Sequence, residues 1–250
     1  MAQVATATMD AFLTGIRKAF EQRKHTDFTI TCHGREWRVH KVILCAHSDF
    51  FDHACAGPFT VSTVFRAMPW SAADTPKEAQ QNRIDLQNDD PAAVAAMVEF
   101  FYEFAYEDYK IAKEYDISES SLHHRVCSIA DKYFIQALFD YAKPKFVTSI
   151  TARWHEASFA QVIAEVFTGD GAHHEVRENV LRVVHQRRAQ LYAGGSEMDH
   201  YRLVTDALLG FAPQVIAHEY APNKIEDAKL ARPPSPYEED DWAELRNITV

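Results

Sequence analysis

Apolar residues recur every three or four positions from Asp10 to Arg23, and this spacing puts Phe12, Leu13, Ile16, Ala19 and Phe20 on one side of a helix. The period then changes to two. Phe28, Ile30 and Cys32 alternate with Thr29 and Thr31, which predicts a half-buried strand. His33-Gly34 supplies a two-residue turn, and Arg35 to Val39 returns as a second strand with Trp37 and Val39 on one face. His40-Lys41 leads into the apolar helical run Val42 to Cys45. Ser48 is placed to cap a further helix that carries Phe50 and Phe51.

From Ala54 to Arg83 the regular pattern breaks. Gly57-Pro58, Pro69 and the stretch from Ser71 to Pro76 are turn and loop signals. A loop this long is either functional or disordered as a rule, and its apolar pairs, Val64-Phe65 and Met68 to Trp70, are expected to dock back on the domain or meet a partner. Order resumes with a short strand at Ile84-Asp85-Leu86. Asp90-Pro91 is a strong helix start, with Asp90 as N-cap and Pro91 tolerated at the first helical position. Val94, Met97, Val98, Phe101 and Ala105 mark the buried face of that helix. Ser118 or Ser120 caps the next, predicted over 122–141 with Leu122, Val126, Ile129, Tyr133 and Ala137 inward. Further helices are expected over 154–167, 175–191, 197–209 and 213–220, before a Pro-rich, acidic and mobile end.

Three stretches carry a family resemblance. Asp27, Ile30, Gly34, Val39, His40, Lys41, Leu44, Ser48, Phe50 and Phe51 stand at the intervals of the opening of a BTB/POZ domain. The segment IDLQNDDPAAVAAMVEFFYEFAY resembles a second BTB stretch, and Ala130-Asp131-Lys132-Tyr133 a third. The likeness covers about residues 12 to 145 and resembles most closely the short BTB proteins of filamentous fungi. One departure is Phe104, which stands where that pattern has glycine, so the turn after this helix is expected to differ.

The resemblance implies an α+β BTB/POZ fold, a small sheet flanked by a helical cluster, followed by additional C-terminal helices. The corresponding division is an N-terminal segment with a dimerisation helix (1–24), the BTB/POZ domain (25–145), a C-terminal helical region (146–229) and a disordered acidic tail (230–250). It also implies a protein-interaction module that forms a homodimer through Phe12, Leu13, Ile16 and Phe20, with Asp27 and Lys41 as a charged pair near that interface. The spacing alone shows one buried face, which a helix folded back on its own domain also satisfies, and the charged pair can equally serve the fold. Phe59 and Val61, placed by the resemblance, and Phe65 and Trp70, from the apolar clusters of the long loop inserted relative to the family, are the expected partner-binding positions. Cullin-binding members carry an apolar-x-Glu motif where this chain has Phe59-Thr60-Val61, so a cullin is expected to bind weakly or not at all.

Composition narrows the remaining possibilities. The 26 basic and 36 acidic residues leave a net charge of −10, which opposes non-specific attraction to nucleic acid. No apolar run approaches the roughly 20 residues of a membrane helix, and the N-terminus lacks a signal-peptide pattern, so a cytoplasmic or nuclear location is expected. Cys32, Cys45, Cys55 and Cys127 form no CxxC pair and are expected to stay reduced. Catalysis is not expected: the chain holds no phosphate loop, GxGxxG or GxSxG. His155-Glu156 and His218-Glu219 begin a zinc-protease motif, but Phe159 and Pro222 stand where its second histidine belongs. The adjacent pairs His123-His124 and His173-His174 would point roughly 100° apart on a helix, a poor chelate, so no metal or other cofactor is expected.

Overall fold

The computed structural model describes residues 2–56, 82–168 and 173–193. The chain opens with α1 (Ala2–Glu21), then β1 (Phe28–Cys32) and β2 (Arg35–Val39), then the short helices α2 (Lys41–His47) and α3 (Asp49–Ala56). After β3 (Arg83–Asp85) come α4 (Pro91–Glu103), α5 (Asp108–Glu114), α6 (Glu119–Lys132), α7 (Gln136–Ala152), α8 (Ala157–Thr168) and α9 (His174–Ala193). The two helices expected over 197–209 and 213–220, and the acidic tail, lie outside the described residues.

The sheet has the order β2-β1-β3. β1 and β2 pair antiparallel from Phe28–Val39 to Cys32–Arg35, and β3 adds in parallel, with Ile30 opposite Ile84. His33 (φ 47°) and Gly34 (φ 79°) both take positive φ, as the favoured two-residue hairpin turn demands. The strand expected to be half-buried is more enclosed than its alternation suggests. Thr31 is buried because its hydroxyl donates to the carbonyl of Ile84 (3.3 Å) and the carboxylate of Asp85 (3.0 Å), which satisfies a polar group inside the fold.

Helix caps fall where the sequence put them. Asp90 accepts the backbone N–H groups of Ala92 and Ala93, both at 3.0 Å, and Pro91 occupies the first turn of α4. Ser118 accepts the Ser121 N–H and starts α6; Ser120 lies buried inside that helix. Ser48 accepts the Phe51 N–H at the start of α3 and donates to the Tyr133 carbonyl at 2.6 Å. α4 is apolar nearly all round and sits in the core cluster that also holds Phe51, Leu122 and Leu138, with the Phe101 ring edge-on to Phe51 at a centroid distance of 5.8 Å.

One expectation needs correction. The helix read over 122–141 is two helices: the chain breaks at Tyr133 and Phe134, where Phe134 takes φ 56°. The break turns Tyr133 inward and leaves Phe134 55% exposed. Apolar spacing alone does not register a one-residue left-handed kink between two helices that share a core. The domain boundary placed at residue 145 falls inside α7, which runs through Pro144 to Ala152. Pro144 lies on the exposed side, where water reaches the backbone carbonyl that its missing N–H leaves unpaired. α8 and α9 then pack on α6 and α7, and Phe159, Val162, Ile163, Val166, Val180 and Val184 belong to the same core cluster as α4. The described C-terminal helices thus extend that core.

Candidate protein-interaction surface

α1 has two sides with different fates. Ile16 and Phe20 are half-buried against the chain's own core, and the Phe20 ring stacks on Tyr102 with centroids 4.0 Å apart and planes within 12°. Arg17 pairs with Glu103 across the same contact. One turn or more towards the N-terminus nothing among the described residues covers the stripe: Met9 is 58% and Phe12 61% exposed, with Leu13 between the two regimes. Of the four residues expected at a dimer interface, Ile16 and Phe20 therefore anchor α1 to α4, while Phe12 projects outward. The helix also begins earlier than Asp10, because the segment before it is rich in alanine, a good helix former.

Beside the anchored end of α1 lies a polar corner. The Asp27 carboxylate accepts the Lys41 backbone N–H at 2.8 Å and so satisfies an otherwise unpaired donor at the start of α2. The Lys41 ammonium donates to the Asn82 side-chain oxygen at 2.6 Å. The two residues read as a charged pair thus meet through the backbone, and the ammonium is held by Asn82, which had not been singled out. Its position next to β3 gave no signal in the sequence. His40 completes the corner: its backbone N–H donates to the Tyr102 hydroxyl, and its ring nitrogens contact that hydroxyl and the Lys24 carbonyl (2.8 Å). Burial pushes the Tyr102 phenol up to about 12, so at neutral pH it keeps its proton and can donate. Phe59, Val61, Phe65 and Trp70, the expected partner contacts, lie outside the described residues.

The stretches that suggested a family also meet in space. Asp89, from the IDLQNDDP segment, accepts from the Lys132 ammonium (2.6 Å) and the Tyr133 hydroxyl (2.5 Å), both from Ala130 to Tyr133. Cys32, at the end of β1, donates through sulfur to the Asp89 carbonyl at 3.4 Å. A family-model comparison matches the BTB/POZ domain over residues 16–149, more than half the chain. The chain belongs to the BTB/POZ family. A search of curated proteins returned no match. The BTB/POZ domain is a protein–protein interaction module and is not typically catalytic. Among the described residues no helix is long and apolar enough to cross a membrane.

At Phe104, where the resembling pattern has glycine, α4 ends in a left-handed cap. Phe104 takes φ 53° and ψ 21°, the left-handed conformation that glycine reaches without strain, and its N–H closes on the Phe100 carbonyl. The ring stays half-exposed beside His47 and Phe100, at centroid distances of 5.4 Å and 6.2 Å.

A charged cleft of about 480 Å³ lies on the side of α6 that faces α4 and α8. Arg125 bridges Asp90 (2.7 Å) and Glu165 (2.8 Å), tying the start of α4 to α8. His124 lines the same cleft and is 7% exposed, and neither ring nitrogen has a hydrogen-bond partner. The arrangement couples the C-terminal helices to the BTB core.

Proposed function

We propose that this chain is a self-associating interaction module, two copies meeting through the outer half of α1. The observation that carries the reading is the division of that helix: Ile16 and Phe20 are used internally, while Met9 and Phe12 are left uncovered on the same apolar stripe. A two-fold contact uses each side chain twice. Covering each is worth roughly 1.5–3 kcal/mol before association costs. Asp27 and Lys41 sit beside the anchored end of the helix and belong to the polar rim in this reading.

Light scattering tests it. The native chain is expected at twice the monomer mass, and Phe12→Asp at the monomer mass with an unchanged circular-dichroism spectrum. Phe12 is the better probe than Ile16, whose replacement by aspartate would also disturb the contact between α1 and α4. A monomeric native protein at tens of micromolar, on the order of the concentration at which such contacts form, would remove the reading.

Partner recruitment is the second half of the proposal, with Phe59, Val61, Phe65 and Trp70 as contacts and the cytoplasm or nucleus as the place. A substrate-adaptor role on a cullin-type ubiquitin ligase is the runner-up. Phe59 retains the apolar part of the cullin motif, but Val61 removes the glutamate and with it a charge-assisted hydrogen bond worth roughly 1.5–3 kcal/mol. Weak binding or none is expected on titration with a cullin N-terminal region; submicromolar affinity would promote the adaptor role.

A further inference from the structure

His173 lies just outside α9, at its N-cap: its carbonyl accepts the N–H groups of Val176 (3.0 Å) and Arg177 (3.2 Å), while His174 begins the helix. Neighbouring histidines diverge by roughly 100° only when both are helical, and His173 is not. The two rings approach to 4.4 Å between centroids with planes 37° apart. The Glu175 carboxylate completes the group, and one ligand atom from each of the three residues lies within 4.8 Å of the others. His174 is exposed and its two companions are half-buried, so an ion can enter from solvent.

We propose that His173, His174 and Glu175 form a binding site for zinc(II). Two imidazoles and a carboxylate suit a borderline divalent ion, and three protein ligands leave one tetrahedral position for water. At zinc–ligand bonds of 2.0–2.2 Å, tetrahedral ligands stand about 3.4 Å apart, so closing the site takes side-chain rotations on the order of 1 Å. His173 Nδ1 accepts the Glu175 N–H at 3.3 Å. That nitrogen carries the lone pair a metal needs, and coordination replaces one long hydrogen bond on a donor that water can reach.

Lys143 of α7 is the competing cation. Its ammonium donates to Glu175 Oε2 at 2.6 Å and also lies 5.5 Å from the Phe139 ring centroid, the ring that packs on His173 at 4.7 Å. This contact holds the Glu175 carboxyl below its ordinary range. Glu175 Oε1 is the oxygen left for the ion, and the ammonium beside it weakens binding by repulsion.

The experiment is calorimetric titration of the chelator-stripped full chain with zinc chloride. One equivalent is expected to bind, and His173→Ala with His174→Ala should weaken it by about tenfold or more. Lys143→Ala is expected to tighten it several-fold, a gain that general histidine binding does not predict. Cobalt(II) in place of zinc should give a visible absorption band that the double variant lacks. Circular dichroism confirms that each variant folds. No zinc uptake by the native chain, unaltered affinity in the double variant, or unaltered affinity in Lys143→Ala would each overturn the site.

Discussion

The Tyr102 hydroxyl sits 2.9 Å from both the backbone nitrogen and the ring Nδ1 of His40. The Lys24 carbonyl can only accept, so in the neutral ring Nε2 carries the proton and Nδ1 takes the Tyr102 O–H. One hydroxyl thus fixes the tautomer and orientation of His40 and, through the ring stacked on Phe20, the seat of α1. Tyr102→Phe keeps the stacking and removes the two hydrogen bonds. A loss of about 1–3 kcal/mol is expected in urea denaturation, mostly from the His40 N–H left unpaired. No change in midpoint would show that water replaces the hydroxyl.

Phe104 supplies a test in which glycine should outdo alanine at the end of a helix. Both substitutions lose the contacts with Phe100 and His47, but only glycine relieves the left-handed backbone. Phe104→Gly is expected to be more stable than Phe104→Ala by about 1 kcal/mol, the reverse of helical propensity. Thermal melts of the two variants decide it; alanine equal to glycine would show that the cap relaxes.

Acid should destabilise the fold through two buried histidines. Burial lowers both His123 and His124 to about 4 from the usual 6.5, with the carboxylates of Asp108 and Glu165 offsetting part of the effect. The unfolded chain takes up these protons first, so stability falls as pH drops below 6.5 and levels off below about 4. Each group contributes a loss on the order of 3 kcal/mol. His124 has no hydrogen bond to lose, so His124→Leu should flatten part of this slope. A slope between pH 6.5 and 4 identical to that of the native chain would refute its role.

The thiols should be slow to react. Burial pushes Cys32 up to about 11 and Cys55 and Cys127 up to about 12, and Cys45 is raised by the same cause. At pH 8 a thiol titrating near 11 is roughly one part in a thousand thiolate, the reactive form. Iodoacetamide should label the native chain far more slowly than the unfolded one. Rapid labelling of Cys127, buried in α6, would show that α6 opens locally.

Much of this fold was written in short-range signals. The hairpin, the Asp90 and Ser118 caps and the buried stripe of α4 follow from turn chemistry, capping and period, because each depends on residues within a few positions. α5 left no such mark: Asp108 to Glu114 is short and mostly polar, and only Ile111 and Ala112 are buried. The break at Phe134 and the parallel addition of β3 depend on packing between distant segments. The same limit explains the polar corner. Asp27 and Lys41 stood out as charges, but their partners are a backbone N–H and Asn82, and neither is marked by sequence spacing. On α1 the apolar period identified the stripe without showing where internal packing stops and the uncovered part begins.

The order of the sheet has a consequence for how the chain acquires its structure. The β1–β2 hairpin closes from local sequence, but the other edge of β1 receives its partner only when Arg83 to Asp85 arrive. Until then a row of backbone donors and acceptors on the apolar central strand stands open, a template for any extended chain nearby. Lengthening the intervening stretch delays that closure during synthesis, yet each doubling of a loop costs only about 0.6 kcal/mol in the finished fold. The arrival of β3 therefore sets the time for which the nascent β1 edge stays vulnerable to mispairing.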